Sequence, residues 1–593
     1  MKRNLPGTLW YNLVFGVLLL ALPALGARYV QLMRDSRGKA ILMAEKQERM
    51  VIPVPARPGS VFAQTYSRYV LLAGSKPVPS VYADPYMLKD NEIAEASIRA
   101  GKALQENPMR IQEALVLRRD LRFTRIKNGI TQEQLEAFRT AHVPGMGILY
   151  DWEREYPNGA LASQVLGYRR PDGRPGAGLE LSQDRSLAAR DGRRVVLADA
   201  RRRPIWPLPD QDKLPQDGKN VFLCIDLNIQ GFLEQAVTEA VEKFRGPRTW
   251  ATGLVVNINT GEVLAMFSCP TFDPREYNRL GPDARANRAI IMPFEPGSAL
   301  KPVFAASAVE AGVVTYQTQI FCENGEYVAH NGGRITDHGS HYGWLTVADG
   351  VEKSSNILHA KLGEKLGNRA MYEIAHRLGL GERTCIELPG ESPGIIRPLR
   401  RWDGYSLRRV PFGQEISVTA LQLTMAFCAL TNGGELLQPR IIDHITDVNG
   451  KEVYRGQRTV VRRAISPMVS AQTLAVLQGV VERGTGTSAR SDRWAFFGKT
   501  GTGQIPGPRG YIDGAYVSTF IGGGPVEKPE LMCLISVYWP DRSKGYYGGK
   551  VAAPYVKQVL EKSLAYLNVP PDRRTGEVWT DRGSPAARPA SGW

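Results

Sequence analysis

The spacing of apolar and polar residues changes several times along the chain and divides it into segments. The first segment is an uninterrupted apolar run at 9–27, preceded by the basic residues Lys2 and Arg3. At about 1.5 Å per residue, a helix of that length just crosses the hydrocarbon core of a membrane. Basic residues ahead of such a run favour a cytoplasmic N-terminus, with the rest of the chain outside. The pattern therefore predicts a short cytoplasmic tail at 1–8 and a transmembrane signal-anchor helix at 9–27.

A cleaved signal peptide is the alternative interpretation of the same run. Ala24-Leu25-Gly26-Ala27 places small residues where a signal peptidase could cut. The run continues past the usual length of a signal-peptide core, which favours an uncleaved anchor. Under both interpretations the body of the chain lies on the extracytoplasmic (periplasmic) side of the inner, cytoplasmic membrane. We expect a single-pass protein, because the sequence has no second apolar run of this length.

The segment after the anchor is highly charged and mixed in its periodicity. A helical pattern covers Arg34–Arg49, and prolines and a glycine at 53–59 then interrupt it. Short strand-like runs such as Val61-Phe62 alternate with helical ones farther along. Residues 28–216 are therefore predicted to form a juxtamembrane helix and an elongated, non-catalytic α+β pedestal.

From residue 217 the pattern becomes that of a globular α/β domain, predicted to extend to 568. Strands are expected near both of its ends with helices between them, so the sheet is assembled from distant segments and flanked by helices. The expected elements are strands at Val221–Ile225, Gly253–Asn257, Glu262–Phe267, Val517–Gly522 and Leu531–Tyr538, and helices at Ile229–Phe244 and Pro554–Leu567. The remaining residues, 569–593, are rich in Pro, Arg and Gly and are predicted to be a disordered tail.

Composition narrows the class of protein. The chain has 593 residues, which is long for one hydrophobic core, and 43% of them are hydrophobic, which is enough for a globular body. The net charge of +16 favours polyanionic surroundings, but no zinc-finger, RNA-binding or helix-turn-helix pattern accompanies it, so no nucleic acid partner is expected. The six cysteines form no C-x-x-C pair, and most are expected to be small core residues.

The first of three motifs that carry chemistry is Ser298-Ala299-Leu300-Lys301. Residues i and i+3 of a helix share a face, so the Lys301 amine can approach the Ser298 hydroxyl. A serine hydroxyl is a poor nucleophile until a base takes its proton, and a lysine is that base only if burial or nearby cations lower its pKa. Pro302 is tolerated near a helix start, which places Ser298 at a helix N-terminus. The motif alone is weak evidence, because Ser36-Arg37-Gly38-Lys39 also matches it.

The second motif is Ser354-Ser355-Asn356. Ser354 could relay a proton, and Asn356 could bond to a substrate amide. In isolation, however, such a sequence is more often a helix cap or a polar turn.

The third motif, Lys499-Thr500-Gly501-Thr502, follows the apolar run at 494–497 and is predicted on or just after a strand. Gly501 has no side chain and would let a substrate backbone approach a strand edge. Lys499 and the threonine hydroxyls could hold a carboxylate. The similar Arg574-Thr575-Gly576 in the tail has no strand before it.

A metal site is a competing interpretation. Asp337, His338 and His341 could be imagined as the ligands of a metal hydrolase. Two histidines three positions apart in a loop are more often plain surface residues, so we predict no metal and no other cofactor.

Together, and in this order, the three motifs are similar to the signature of penicillin-binding proteins and class A β-lactamases. The chain as a whole resembles the class B penicillin-binding proteins, the monofunctional peptidoglycan D,D-transpeptidases. The resemblance is carried by Glu295-Pro296-Gly297-Ser298, the run Phe412 to Gln422, Gly484-Thr485-Gly486, Gly548-Gly549, Ala552-Ala553-Pro554, Tyr156-Pro157, Gly167-Tyr168 and Gly178-Leu179-Glu180. It implies a transpeptidase domain with an all-helical subdomain, behind a pedestal like the family's dimerisation domain.

The resemblance also implies a mechanism. Ser298 would attack the D-Ala-D-Ala end of a wall stem peptide and form an acyl-enzyme with release of D-Ala, and Lys301 would be the general base. Ser354 would pass the proton to the leaving D-Ala, and Asn356 would orient the donor peptide. β-Lactam antibiotics would acylate the same serine.

The third motif would hold the end of the substrate. By resemblance, Lys499, Thr500 and Thr502 bind the terminal carboxylate beside Gly501. The backbone N–H groups of Ser298 and Thr502 would form the oxyanion hole, in which the loss of one donor typically lowers the rate by about 10²–10³-fold.

Two departures bear on the pedestal and on partners. The pedestal opening, Arg57-Pro58-Gly59-Ser60, lacks the acidic–basic pair that usually follows Arg-Gly in the family. The glycosyltransferase signature of class A enzymes is missing, so we expect a SEDS-family glycosyltransferase in the membrane as a partner, alongside other division or elongation proteins. The substrates would be stem peptides on lipid-linked or nascent glycan.

Three alternatives stay open within or near the family. Glu295 before Pro-Gly-Ser and the stretch after Gly413 favour a septal, division-type enzyme over an elongation-type one. A β-lactamase would be roughly half this length and would lack the anchor and pedestal. A catalytically silent wall scaffold is disfavoured by intact Ser298, Lys301 and Lys499.

Overall fold

The computed structural model describes residues 7–170, 172–198, 204–329, 333–337, 340–508 and 510–573. Contacts divide the chain into two compact groups, each built from several stretches: 1–57, 78–152 and 189–217 in the first, and 58–77, 153–188 and 218–593 in the second. The predicted domain ranges 28–216 and 217–568 stay predictions. The grouping differs from them because 58–77 and 153–188 belong with the C-terminal residues.

The N-terminal helix of the first group covers Gly7–Glu48. Its stretch Trp10–Arg34 has a mean hydropathy of 2.0, and no other helix in the described part of the chain is long and apolar enough to cross a membrane. The predicted anchor at 9–27 overlaps this stretch. The helical pattern predicted for Arg34–Arg49 is confirmed up to Glu48 as the continuation of the same helix, whereas Arg49 begins a strand. Residues 1–6 of the predicted cytoplasmic tail lie outside the described residues.

The rest of the first group consists of a small sheet and a helical cluster. Three antiparallel strands form the sheet, in the order Arg49–Val54, Gly192–Ala198 and Pro204–Pro207. The helices are Asp90–Leu104, Pro108–Leu117 and Gln132–Ala141, and the strand Thr124–Lys127 pairs with Val81–Ala83. The helices are amphipathic: Ile93, Ala96, Ala100 and Leu104 recur at helical spacing and are buried in their common core.

The second group contains a mixed sheet drawn from distant parts of the chain. Its strands are Val61–Gln64, Asn220–Asp226, Ile442–Thr446, Glu452–Arg455 and the first part of Tyr69–Ala83. Asn220–Asp226 pairs in parallel with Val61–Gln64 and antiparallel with Ile442–Thr446. The predicted strand Val221–Ile225 is thus confirmed, one residue longer at each end.

A buried ion cluster organises residues 153–188. The Glu180 side chain is fully buried and accepts hydrogen bonds from Arg154 Nε and Arg169 Nε, both at 2.6 Å. Arg169 also donates to Asp184 at 2.7 Å. Because a buried charge without its partner is strongly destabilising, this carboxylate fixes the local chain path between Tyr156 and the short helix Gly178–Ser182.

A five-stranded antiparallel sheet forms the centre of the C-terminal domain. Its strands in chain order are β1 (Trp250–Asn257), β2 (Val263–Cys269), β3 (Phe497–Gly507), β4 (Gly510–Gly524) and β5 (Leu531–Tyr538). The spatial order is β2-β1-β5-β4-β3, so β3 is an edge strand that pairs with β4 among the described strands. The sequence-based expectation of a sheet assembled from distant segments is confirmed.

Helices cover both faces of this sheet. The longer ones are α1 (Leu227–Lys243), α2 (Lys301–Glu310), α3 (Asn356–Arg377), α4 (Ala420–Thr431), α5 (Pro467–Glu482) and α6 (Ala553–Tyr566). Alternate residues of β1 point to opposite faces: Leu254 and Val256 join the core with α2 and α4, whereas Ala251 and Val255 join the core with α1 and α6. Because both faces of the sheet are covered by apolar residues, the sequences of β1 and β5 are nearly continuous hydrophobic runs.

Short elements connect the longer ones. Short helices and turns of the domain are Pro282–Arg285, Arg288–Ile291, Gly297–Leu300, Val347–Glu352, Gly404–Arg409, Val410–Phe412 and Gly548–Val551. Two-stranded sheets pair Gln319–Phe321 with Trp344–Thr346, Glu326–Val328 with Arg334–Thr336, Ile395–Ile396 with Ile416–Ser417, and Glu435–Leu437 with Val460–Arg463.

The end of the domain lies farther along the chain than the sequence pattern indicated. Trp494 Nε1 donates to the Pro570 carbonyl at 3.1 Å, and the Ala495 amide donates to Asp572 Oδ1 at 2.6 Å. The beginning of the predicted disordered tail at 569–593 is therefore packed on the domain, because its polar groups bind the segment before β3. Residues 574–593 lie outside the described residues.

Candidate active site

Ser298 lies on a tight turn that leads directly into a helix. Gly297–Leu300 forms a single 3-10 turn, and α2 begins at Lys301 with Pro302 in its first turn. Gly297 and Ala299 are buried, whereas Ser298 is half-buried. The predicted position at a helix start is confirmed, with the refinement that the serine sits on the turn before the α-helix.

Two glycines fix this turn against its neighbours. Gly297 has φ +53°, and a Cβ there would lie 2.7 Å from the Thr502 carbonyl oxygen. Gly413 has φ +84°, and its Cβ would lie 2.0 Å from the Gly297 carbonyl oxygen, while Gly297 N donates to Gly413 O at 3.1 Å. Only glycine combines this backbone conformation with such a close approach. The turn that carries Ser298 is thereby held between β3 and the loop that carries Gly413.

The Lys301 ammonium group is completely buried. It donates to the Ser354 carbonyl oxygen, to Ser354 Oγ at 3.2 Å and to Asn356 Oδ1 at 2.8 Å. Burial and the neighbouring Lys499 lower the pKa of Lys301 well below the ordinary value of a lysine, although the Asp337 carboxylate opposes the shift. The sequence-based condition for a lysine base is therefore met.

The second motif has two functions in one turn. Ser354 has φ +60°, which turns the chain sharply before α3 and brings its hydroxyl between the two lysines. Ser355 is the helix cap, because its hydroxyl accepts from the Leu358 amide at 3.1 Å. Asn356 begins α3, donates through its amide nitrogen to the Thr336 carbonyl at 2.9 Å and faces Lys301 with its amide oxygen. The capping alternative is thus correct for Ser355, and Ser354 and Asn356 remain in the site.

Lys499 reaches the same hydroxyl from the sheet. Lys499 lies in the edge strand β3, is completely buried and donates to Ser354 Oγ at 3.0 Å and to the Thr500 carbonyl at 3.1 Å. Burial lowers the pKa of Lys499 to about 7. The prediction that the third motif lies on or just after a strand is confirmed, because the strand begins at Phe497.

The other residues of the third motif line the strand edge. A Cβ on Gly501 would lie 2.7 Å from the Pro296 carbonyl oxygen, so this glycine lets β3 pack on the turn that carries Ser298. Thr500 Oγ1 lies 2.7 Å from Thr485 Oγ1, and Thr502 Oγ1 accepts from the Gly548 amide at 3.3 Å. Gly548 and Thr485 thus set the threonine side chains, which explains why both occur in the motifs that carried the family resemblance.

The sequence marked Glu295 as a sign of a division-type enzyme but did not predict its contacts. This buried carboxylate accepts from the Tyr511 hydroxyl at 2.8 Å and from the Glu415 amide at 3.0 Å, which joins the β3–β4 hairpin to the loop after Gly413. Burial raises the pKa of Glu295. Its position three residues before Ser298 was the available signal, but the partner Tyr511 belongs to no motif.

His359 is a residue that sequence reasoning missed. It lies one turn into α3, is completely buried, and its Nδ1 lies 2.8 Å from the Ser355 carbonyl. Burial and the two lysines lower the pKa of His359 well below its ordinary value, so the imidazole is neutral at physiological pH. A neutral histidine adds no third positive charge beside Lys301 and Lys499.

The candidate metal ligands have other partners. Asp337 Oδ2 accepts from the Ser355 hydroxyl at 2.7 Å, and Oδ1 accepts from the amides of Asn356 and Ile357 at the start of α3. His341 Nδ1 contacts the Asn324 carbonyl at 3.0 Å, and His338 lies outside the described residues. The Asp337 carboxylate therefore caps a helix that carries Asn356.

A second acidic cluster is filled by a guanidinium group. Cys224, Glu262 and Asp443 bring their ligand atoms within 4.8 Å of one another. Arg440 donates to Cys224 Sγ at 3.5 Å, pairs with Glu262 and lies 3.6 Å from Asp443. The cluster is accordingly an ion pair network around arginine. All six cysteines are free thiols, and Cys224, Cys322, Cys428 and Cys533 are buried, as most were expected to be.

The geometry combines an accessible serine on a helix-leading turn, a buried lysine with a lowered pKa, and a second lysine on a strand edge. Both lysines share the Ser354 hydroxyl. Such a set can deprotonate a nucleophile, pass a proton onward and attract an anionic substrate group.

The chain is similar to known proteins over most of its length. The family model of the penicillin binding protein transpeptidase domain matches residues 251–561, and that of the penicillin-binding protein dimerisation domain matches 55–174. Probable peptidoglycan D,D-transpeptidase PenA of Neisseria gonorrhoeae is 30% identical over 533 residues, which cover 90% of this chain and 88% of the relative. Peptidoglycan D,D-transpeptidase FtsI of Escherichia coli is 27% identical over 569 residues, covering 95% and 93% of the two chains.

A solved structure agrees with the sequence matches. Penicillin binding protein 3 of Mycobacterium tuberculosis, complexed with ampicillin, superposes with a TM-score of 0.68 at 26% identity and covers 88% of this chain and 98% of its own. Matches to a dimerisation domain and a following transpeptidase domain extend over most of the chain, and the resemblance inferred from the motifs is confirmed. The chain belongs to the class B penicillin-binding proteins.

Proposed function

We propose that Ser298 carries the peptidoglycan D,D-transpeptidase reaction of this chain through a covalent acyl-enzyme. Ser298 Oγ attacks the carbonyl carbon between the two D-alanines of a donor stem peptide, and the peptide bond to the terminal D-Ala breaks. An amine of a neighbouring stem peptide then attacks the ester, forms the cross-link and releases the serine. The observation that carries this proposal is the convergence of Lys301 and Lys499 on Ser354 Oγ, at 3.2 and 3.0 Å.

Lys301 is proposed as the general base. It is the first residue of α2, directly after the nucleophile turn, and its lowered pKa supplies the neutral amine that can accept the Ser298 proton. The positive charge of Lys499 contributes to the lowered pKa of Lys301, because two neighbouring ammonium ions disfavour each other. The pair can therefore hold one neutral and one charged lysine at the same pH.

Ser354 is proposed to return the proton to the leaving D-Ala amine. Its hydroxyl lies within hydrogen-bonding distance of both lysines, so a proton on Lys301 has a direct path to it. Asn356 is proposed to hold the donor peptide through its side-chain amide. That side chain is oriented by the Thr336 carbonyl and by Lys301, which leaves little rotational freedom.

Lys499, Thr500 and Thr502 are proposed to bind the terminal carboxylate of the donor. All three lie along the edge strand β3, where Gly501 keeps the approach to the nucleophile turn clear. The backbone N–H groups of Ser298 and Thr502 are proposed as the oxyanion hole, since the Gly297 contact places the two segments side by side. A β-lactam presents a carbonyl and a carboxylate and is proposed to acylate Ser298 in the same orientation.

The cellular role follows from the anchor and the relatives. We propose that Trp10–Arg34 anchors the chain in the cytoplasmic membrane, with the catalytic domain on the extracytoplasmic side. A relative named FtsI and the Glu295-Pro-Gly-Ser sequence favour work at the division septum. A SEDS-family glycosyltransferase in the membrane is the proposed partner that makes the glycan strands.

The first prediction concerns the nucleophile. Ser298→Ala should abolish covalent labelling of the full-length protein by a fluorescent penicillin, measured on a denaturing gel, because the ester oxygen is gone. Ser36→Ala is the matched control, since Ser36 also begins a serine-x-x-lysine sequence, and should label like wild type. Labelling that survives Ser298→Ala would remove this serine from the mechanism, and rapid hydrolysis of the bound penicillin would indicate a β-lactamase.

The second prediction concerns pH. The second-order acylation rate should rise with pH as Lys301 loses its proton, and should fall above about pH 7 as Lys499 loses the charge that attracts the carboxylate. Lys499→Arg keeps that charge at every accessible pH, so the fall on the alkaline side should disappear. An unchanged alkaline fall in Lys499→Arg would contradict the role of Lys499.

The third prediction concerns the support of the nucleophile turn. Gly413→Ala should lower the acylation rate more than tenfold, because the new Cβ would clash with the Gly297 carbonyl at 2.0 Å. Gly433→Ala is the matched control: its φ is +87°, but no heavy atom lies within 4 Å of its Cβ. Backbone strain should lower the stability of both variants by about 1–2 kcal/mol, and the clash should lower that of Gly413→Ala further, measured by thermal unfolding. Equal acylation rates in the two variants would contradict the proposed support.

The fourth prediction distinguishes a role in septal wall synthesis from a role in cell elongation. Depletion of the protein in its native host should give filamentous cells with unfinished septa, seen by microscopy after labelling of new wall. Rounded cells with normal septation would instead indicate the elongation-type alternative.

A further inference from the structure

A cavity of about 690 Å³ lies at the end of the central sheet where β1 and β4 begin and β3 and β5 end. Its walls include aromatic and aliphatic side chains together with a few polar ones, among them Arg248, Trp250, Asp283, Arg288, Phe294 and Tyr538. The volume is that of a typical small-molecule site. Ser298, Lys301 and Lys499 do not line it, although Glu295 does.

Arg288 is a buried cation with unused hydrogen-bonding capacity. Only 7% of the residue is exposed, and its Nη1 has no hydrogen-bond partner among the described residues. Its guanidinium lies over the Trp250 ring at 4.8 Å, and its Nη2 lies 3.6 Å from the carboxylate of Asp283, whose side chain is 95% exposed. A buried guanidinium with such weak compensation is costly, which indicates that a further acceptor belongs beside it.

Tyr538 presents a second unused donor in the same wall. It is 6% exposed, stacks on Trp250 with ring centroids 3.4 Å apart and meets Phe294 edge-on at 5.5 Å. Its hydroxyl also has no hydrogen-bond partner among the described residues. The lining thus combines rigid aromatic surface with two donors that no described residue satisfies.

The charges of the lining favour an anion. Arg248 and Arg288 are both cationic, whereas Asp283 faces solvent. Glu295 already accepts hydrogen bonds from Tyr511 and from the Glu415 amide. A cationic ligand would meet two arginines, and a purely apolar ligand would leave the Arg288 and Tyr538 donors unpaired.

We propose that this cavity is a second binding site, for a small apolar carboxylate whose acidic group pairs with Arg288 and Tyr538 and whose apolar body packs on Trp250 and Phe294. The site is separate from the proposed catalytic cleft and does not depend on the proposed mechanism. It adjoins the cleft through Glu295, which lies three residues before Ser298.

The test measures binding of 4-(4-fluorophenyl)butyrate to the full-length protein in nanodiscs by fluorine NMR line broadening. Saturable binding should appear, and the neutral analogue 4-(4-fluorophenyl)butanamide should bind about tenfold or more weakly, because it lacks the charge that Arg288 recognises. Equal binding of acid and amide, or no binding of the acid, would overturn the proposal.

Variants of the lining test whether the acid binds in this cavity. Met292→Trp enlarges a side chain of the lining that is 42% exposed, so it should block the cavity without unfolding the protein. Val313→Trp changes a similarly exposed residue, at 41%, outside the lining and should bind normally. Arg288→Gln should remove the preference for acid over amide. Binding that persists in both Met292→Trp and Arg288→Gln would place the acid elsewhere, for example at Lys499, and would contradict the assignment.

Discussion

Two lysine side chains buried beside one serine hydroxyl are the constraint around which the catalytic domain is organised. Desolvation disfavours an ammonium ion, and two such ions close together disfavour each other. The fold accepts this cost because Lys301 and Lys499 belong to rigid elements, a helix and a sheet strand, that are packed on a common apolar core. The result is a pair of lysines whose proton affinities are lowered, which a solvated lysine could not achieve.

The burial of the two lysines also explains the residues that surround Lys301 and Lys499. His359 stays neutral, and Asp337 uses its oxygens to cap α3 while its charge lies near Lys301. Gly297 and Gly413 allow the nucleophile turn to approach β3 and a distant loop at contact distance. A side chain at either glycine would prevent this close approach of the backbone. These features lower the local stability but hold the side chains of the site in position, as is common at functional sites.

Much of the fold and of the candidate site could be predicted from the sequence, for reasons that differ from one feature to the next. Period-2 and continuous apolar runs predicted the strands, and the order of three motifs predicted Ser298, Ser354, Asn356 and Lys499 as one site. The partners of Glu295 and His359 could not be predicted, because their contacts arise from tertiary packing. The contacts of Pro570 and Asp572 with the segment before β3 could not be predicted either, because composition does not report tertiary contacts. The Asp337 cap looked like a metal ligand because a carboxylate suits both.

The proposed acylation of Ser298 depends on a geometry set by β3 and by the turn that carries this serine. The most direct measurement is a crystal structure of the protein after reaction with a penicillin. We expect an ester at Ser298 Oγ, with its carbonyl oxygen between the N–H groups of Ser298 and Thr502 and its carboxylate beside Lys499 and the threonines of β3. An ester on another residue, or a carbonyl oxygen directed away from those two N–H groups, would contradict the proposal.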